Sequence, residues 1–197
     1  MCRIETERLI LRSFCEDDAE DVFEYLKEPT VNCFACMKLN SLEEATAAVK
    51  EKAKHGGYCF AIVLKESGTI IGEIEAYPES SHPDKAESCA VDTFSPCWML
   101  HPAFHGKGYA FEAATTFFDY LFHQKGARRI YAYTEDYNLH SQRLCEKLGM
   151  RREGLFREFV SFVNDADGNP IYENTLQYAI LRKEWDNRDG AYERHSL

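Results

Sequence analysis

The stretch Phe104-His105-Gly106-Lys107-Gly108-Tyr109-Ala110 lies between an apolar segment that reads as a strand and the longest helical pattern of the chain. Glycines at 106 and 108 let the main chain turn tightly and approach a ligand with no Cβ in the way. Several N–H groups can then converge on an anion at the positive end of a helix. A pyrophosphate fits that description. Lys107 reads either as an added point charge or as a solvent-exposed side chain. Taken alone the motif is weak, because it has neither the Gly-Lys-Ser/Thr of a Walker loop nor the third glycine of a dinucleotide fingerprint. A glycine-softened turn onto a packed helix explains it as well.

Outward from this loop, residues 107–125 place Ala110, Ala113, Ala114, Phe117, Phe118, Leu121 and Phe122 at helical spacing before Gly126, which predicts a deeply packed helix. A strand around residues 97–100 precedes the loop and is broken by His101-Pro102. After the helix come a strand at 129–134, a short helix at 138–148 closed by Gly149, and a hairpin of residues 150–163 and 171–182. Towards the N-terminus, residues 7–14 read as a strand. Ala19, Val22, Phe23 and Leu26 predict a helix over 17–28 stopped by Pro29. Ser41 and Glu44 have capping-box spacing for a second helix ending at Gly56-Gly57. Strands at 58–65 and 69–77 flank the turn Glu66-Ser67-Gly68. Residues 78–92 read as a long loop or insertion, and residues 186–197 as a polar tail.

This order predicts one α/β (α+β) domain over residues 1–197 with its core at about 5–185. A central mixed, mostly antiparallel sheet of about seven strands would carry about four helices on its two faces. The bulk numbers agree: 197 residues, 45% hydrophobic and 28% charged, suit one soluble domain. The charge of -10 and pI near 5.2 oppose nucleic acid as a general partner. They suit cationic substrates, or simply an acidic protein kept soluble by its charge. The start, Met1-Cys2-Arg3-Ile4-Glu5-Thr6-Glu7, has acidic residues where a signal peptide needs an apolar core, and no membrane-length apolar run follows. A cytoplasmic protein without membrane contact is expected.

Eight cysteines are scattered along the chain. The one tight pair, Cys33-Phe34-Ala35-Cys36, lacks the second cluster a structural zinc needs and reads as two ordinary thiols, so no metal is expected. Asp165-Ala-Asp167-Gly-Asn169 has Gly168 and Leu176 where a calcium loop wants other residues, and reads as a hairpin turn.

Asn138-Leu-His-Ser141-Gln-Arg143-Leu-Cys-Glu-Lys-Leu148-Gly149 follows the next strand. With it, the glycine loop resembles the GNAT acetyltransferases. More narrowly, four motifs in order resemble the RimJ/RimL branch, over roughly residues 5–185. They are Gly106-Lys107-Gly108-Tyr109-Ala110-x-Glu112-Ala113, Asn138-x-x-Ser141, Glu146-Lys147-Leu148-Gly149 and Glu153-Gly154-x-x-Arg157. The resemblance implies a sheet splayed between its fourth and fifth strands and an acetyl-CoA cosubstrate. His105, Gly106, Lys107, Gly108, Tyr109 and Ala110 would hold the pyrophosphate, although the family's first signature position is here Ala103. Trp98, Met99, Leu100 and His101 would run beside the pantetheine arm, Asn138 would hold it from the other side, and Arg143 would lie nearer the nucleotide.

Asn138 is also a favoured N-cap, and the two roles are compatible. Ser141 reads either as a serine back-bonding to its helix or, by the resemblance, as the proton donor to the leaving sulfur. The tyrosine that serves many members in that role is here Cys145. For the base that takes the amine proton, Glu73 and Glu75 on one strand face are candidates, as is Asp92. A backbone N–H near Met99 or Leu100 would steady the oxyanion. The implied activity is direct transfer of acetyl to a primary amine, either a protein N-terminus or a small molecule such as an aminoglycoside or polyamine, by a monomer or homodimer. The other reading is a non-catalytic acyl-CoA sensor.

Overall fold

The structure, a computed structural model, describes residues 3–80 and 91–188. β1 (Arg3–Glu5) and β2 (Leu9–Arg12) precede α1 (Ala19–Leu26) and α2 (Leu42–Lys54). β3 (Cys59–Leu64), β4 (Ile70–Ser80) and β5 (Val91–Leu100) lead into α3 (Tyr109–His123). β6 (Arg129–Glu135) and α4 (Leu139–Lys147) are followed by β7 (Arg151–Asn164), β8 (Pro170–Leu181) and a short α5 (Arg182–Asp186). The strands form one sheet in the order β1-β2-β3-β4-β5-β6-β8-β7. Among the described residues only β5 and β6 are parallel neighbours.

The sequence patterns explain the layers. β3, Cys-Phe-Ala-Ile-Val-Leu, is buried at every position, as a central strand covered on both faces must be. On one face α3 presses Ala113, Ala114, Phe117, Phe118, Leu121 and Phe122, all fully buried, against the sheet with help from α4. On the other face α1 and α2 bury Val22, Leu26, Ala45 and Val49 against Ala61, Val63 and Met99. At the start of α2, Ser41 accepts the Glu44 N–H at 3.2 Å, so the expected cap forms.

The α/β architecture is the expected one, with one more strand. The segment read as a single first strand begins only at Leu9, because the Thr6 hydroxyl accepts the Leu9 N–H at 2.8 Å and the Thr6 N–H reaches Leu9 O at 3.0 Å. That turn folds residues 3–5 back as β1. The stretch read as a loop over 78–92 contains the end of β4 and the start of β5, and its residues 81–90 lie outside the described residues. The stretch read as a polar tail from residue 186 begins at the last residue of α5, which Trp185 anchors by packing its ring against Phe118 and Phe122 and donating to Asp119 Oδ1 at 2.6 Å. Residues 189–197 lie outside the described residues. Among the described residues no helix is long and apolar enough to cross a membrane.

Candidate active site

The sheet parts in its middle. β5 and β6 are paired only at Thr93 with Arg129 and Phe94 with Ile130, after which the strands diverge. Pro96 accounts for the parting. The Ala76 N–H donates to Tyr58 O and the His101 N–H to Ile71 O, each at 2.8 Å. Strand alternation then turns the main-chain groups of Cys97 and Met99 toward β4, and those of Pro96, Trp98 and Leu100 toward β6. Proline has no N–H, so the next rung to β6 has no donor. A cavity of about 990 Å³ opens there, walled by residues 95–100 on one side and by Tyr133, Thr134 and Glu135 on the other. The amides aimed into it are those of Trp98 and Leu100, whereas the Met99 amide belongs to the ladder with Glu73. Gly72 makes the close pass of β4 against β5 possible, since a Cβ there would lie 2.1 Å from Met99 O.

His105, Gly106, Gly108, Tyr109 and Ala110 line one end of this cavity. Gly108 is the N-cap of α3 with φ 84, a left-handed conformation that a side chain resists, and it points the first turn of the helix at the opening. The His105 ring nitrogen Nε2 lies 2.9 Å from Leu100 O and ties loop to strand. His101 and Lys107 do not line the cavity. His101 Nδ1 accepts the Ala103 N–H at 3.1 Å, and Lys107 Nζ lies 5.3 Å above the Phe104 ring. Sequence reading missed the brace behind the loop. Arg8 donates to Lys107 O at 3.0 Å and pairs with Glu112 Oε2 at 2.7 Å, while the Thr6 hydroxyl donates to Glu112 Oε1 at 2.5 Å. Burial works to raise the Glu112 pKa, but Thr6 and Arg8 together hold it below its usual value. No local pattern marks this brace, since its partners are about a hundred residues apart.

From the opposite side, α4 brings Asn138, Ser141 and Arg143 to the cavity. Asn138 Oδ1 accepts the Ser141 N–H at 3.1 Å and its Nδ2 donates to Glu135 Oε2 at 3.3 Å, so it caps the helix and lines the site at once. Ser141 is half-buried, and its hydroxyl has no hydrogen bond among the described residues, which removes the back-bonding reading. Cys145 is fully buried, and burial pushes its thiol up to about 12, which keeps it protonated and inert.

The carboxylates are arranged differently from expectation. Glu73 is buried away from the cavity lining, where it accepts from Tyr25 Oη and Lys52 Nζ, each at 2.7 Å. Glu75 accepts from Tyr77 Oη at 2.8 Å and also lies off the lining. Asp92 pairs with Arg128 at 2.8 Å beside the closed end of the β5–β6 wedge. Two carboxylates line the cavity: Glu28, which is exposed, and Glu135, which is 5% exposed and has no ion pair among the described residues. Sequence reading missed it because Glu135-Asp136 looks like a solvated turn. The available signal was its place two residues after Tyr133 on the same strand face.

Comparisons with known proteins bear on the family and the fold. The family model described as "Acetyltransferase (GNAT) domain" matches residues 8–151. The chain is 30% identical to the uncharacterized N-acetyltransferase YnaD of Bacillus subtilis over 93% of its own length and 99% of that protein's. A GNAT-family acetyltransferase from Bacillus anthracis superposes with a TM-score of 0.77 at 28% identity, covering 92% of this chain and 99% of the other. The microcin C7 self-immunity acetyltransferase MccE, whose structure is a complex with acetyl-CoA and AMP, shares the fold at a TM-score of 0.69 and 14% identity, covering 89% and 93%.

Proposed function

This chain belongs to the GNAT acetyltransferase family, and from that premise we propose that it moves an acetyl group from acetyl-CoA to a primary amine by direct attack. The observation that carries the reading is the wedge opened at Pro96, with the Trp98 and Leu100 amides on one wall and the Gly106–Gly108 turn at its end. An extended, amide-bearing arm can pair with β5 where β6 leaves it. A diphosphate fits the turn, whose N–H groups and helix terminus supply positive partial charge. The acetyl thioester supplies the activated acyl group. Asn138 steadies the arm from α4, and Arg143, exposed beside the opening, faces the nucleotide end. The order of the four motifs supports placement in the RimJ/RimL branch.

Within this reading each chain residue has a chemical task. Glu135 accepts the proton that the acceptor ammonium sheds, since a protonated amine has no lone pair for attack. It takes this role in place of Glu73 and Glu75, because the acid at the wall can reach the amine, whereas Glu73, paired with Lys52, and Glu75, bonded to Tyr77, lie off the lining. The Leu100 N–H faces the region where the carbonyl oxygen gathers charge. The Ser141 hydroxyl, which has no hydrogen-bond partner among the described residues, relays to the departing sulfur the second proton that the nitrogen loses as the amide forms. The buried, protonated Cys145 supports transfer with no acetyl-enzyme.

Isothermal calorimetry with coenzyme A, followed by thiol release across a panel of amines, tests the proposal. Binding with amine-dependent release is expected. Absence of binding would end this reading of the wedge.

A further inference from the structure

Among the described residues, several of the mostly buried carboxylates come with cations. Asp18 has Arg12, Glu73 has Lys52 and Glu112 has Arg8, each at 2.7 Å. Glu135 has instead the Asn138 amide at 3.3 Å and the Cys33 thiol. Just behind it, Glu173, 8% exposed, accepts among the described residues only from Asn32 Nδ2 at 2.5 Å and Tyr137 Oη at 3.1 Å. A buried negative charge is normally matched by a positive one, and among the described residues none is supplied at this end of the cavity.

Beside these acids the cavity wall is aromatic and uncovered. Tyr133 is 44% and Phe159 51% exposed, and their centroids lie 5.8 Å apart, with Phe156 a further 5.0 Å from Phe159. Tyr77 and Phe162, also lining the cavity, widen this surface. An exposed aromatic cluster continuous with a cavity marks a place where a ligand's apolar part is expected. Tyr133 and Glu135 are two residues apart on β6, so ring and carboxylate share a face about 7 Å apart along the strand.

Resting on the function proposed above, we infer that the acceptor is a small arylalkylamine, whose ammonium meets Glu135 while its ring lies against Tyr133 and Phe159. A linker of two or three carbons spans the distance between the two contacts. A bare alkyl cation satisfies the acids but leaves the ring surface wet, and a neutral aromatic leaves the acids unmatched. The net charge of -10 draws the cation in from solution.

The experiment compares phenethylamine with butylamine and spermidine on wild type, Tyr133→Ala and Phe159→Leu. Each amine is titrated calorimetrically into protein saturated with coenzyme A, and KM is measured by thiol release. Phenethylamine is expected to bind about tenfold more tightly than butylamine, and Tyr133→Ala to erase most of that ratio. Equal binding of butylamine or spermidine, or an unchanged ratio in both variants, would overturn the inference. Selective phenethylamine binding without any turnover would leave this inference standing and count against the proposed transfer. Because Tyr133 and Phe159 are exposed, a folding defect is not expected. Circular dichroism and coenzyme A affinity check that directly.

Discussion

Ala76 and Pro96 stand opposite each other on β4 and β5 without exchanging hydrogen bonds, the Ala76 amide being turned to Tyr58, the residue just before β3. The imide nitrogen of Pro96 therefore faces β6, and the wedge begins at a missing donor. Pro96→Val restores an N–H on that side. One regained backbone hydrogen bond of about 1 kcal/mol, drawing β5 toward β6, should weaken coenzyme A binding roughly fivefold. Calorimetry reads the affinity, and slowed amide exchange at Trp98 and at residues 131–133 would show the strands closing.

Gly108→Ala tests the loop. Its φ of 84 places the new methyl in a left-handed backbone, 3.4 Å from Arg8 Nη2. The strain of about 1–2 kcal/mol should appear as lost stability in urea unfolding, or as weaker coenzyme A binding if the loop relaxes. Gly106→Ala, with φ 74 and nothing within 4 Å of its Cβ, should show the backbone cost without a steric one.

Ser141→Ala and Glu135→Gln separate the two proton transfers. Each should lower kcat about 100-fold with coenzyme A affinity unchanged. Of the two, only Glu135→Gln removes a proton acceptor, and only Ser141→Ala removes a proton donor. An unaltered kcat in either variant would remove that residue from the proposed chemistry.

Acid stability should depend on Asp18. Burial works to raise its pKa, but the Arg12 guanidinium, reaching both oxygens at 2.7 Å, and the Cys15 N–H at 2.7 Å bring it below its ordinary 3.8. A carboxylate depressed on folding stabilises above its unfolded pKa, and that contribution disappears as pH falls through the folded value. Asp18→Asn should cost about 2–3 kcal/mol at pH 7. Urea midpoints of the two proteins should keep a constant gap above about pH 5 and converge below pH 4.

The layers were legible where one periodicity dominated. The stripe from Ala113 to Phe122 could only be a packed helix, and Cys59 to Leu64 could only be a strand. The start of β5 was hidden because Val91-Asp-Thr-Phe-Ser-Pro is mixed in polarity and its proline reads as a breaker, although that proline is what shapes the wedge. α5 was too short for a period, and only the burial of Trp185 reveals its purpose. The loop, Asn138 and Ser141 carried local motifs and were readable. The Arg8–Glu112 brace and the unmatched charge of Glu135 are tertiary properties, set by which residues arrive beside them.

The wedge has a kinetic corollary. An opening maintained by an absent amide at Pro96, with β4 supporting one wall and β8 the other, requires no hinge to swing before a guest can enter. In stopped-flow mixing, the observed rate of coenzyme A association should climb linearly with concentration and reach no plateau, the behaviour of a lock whose keyway is cut in advance.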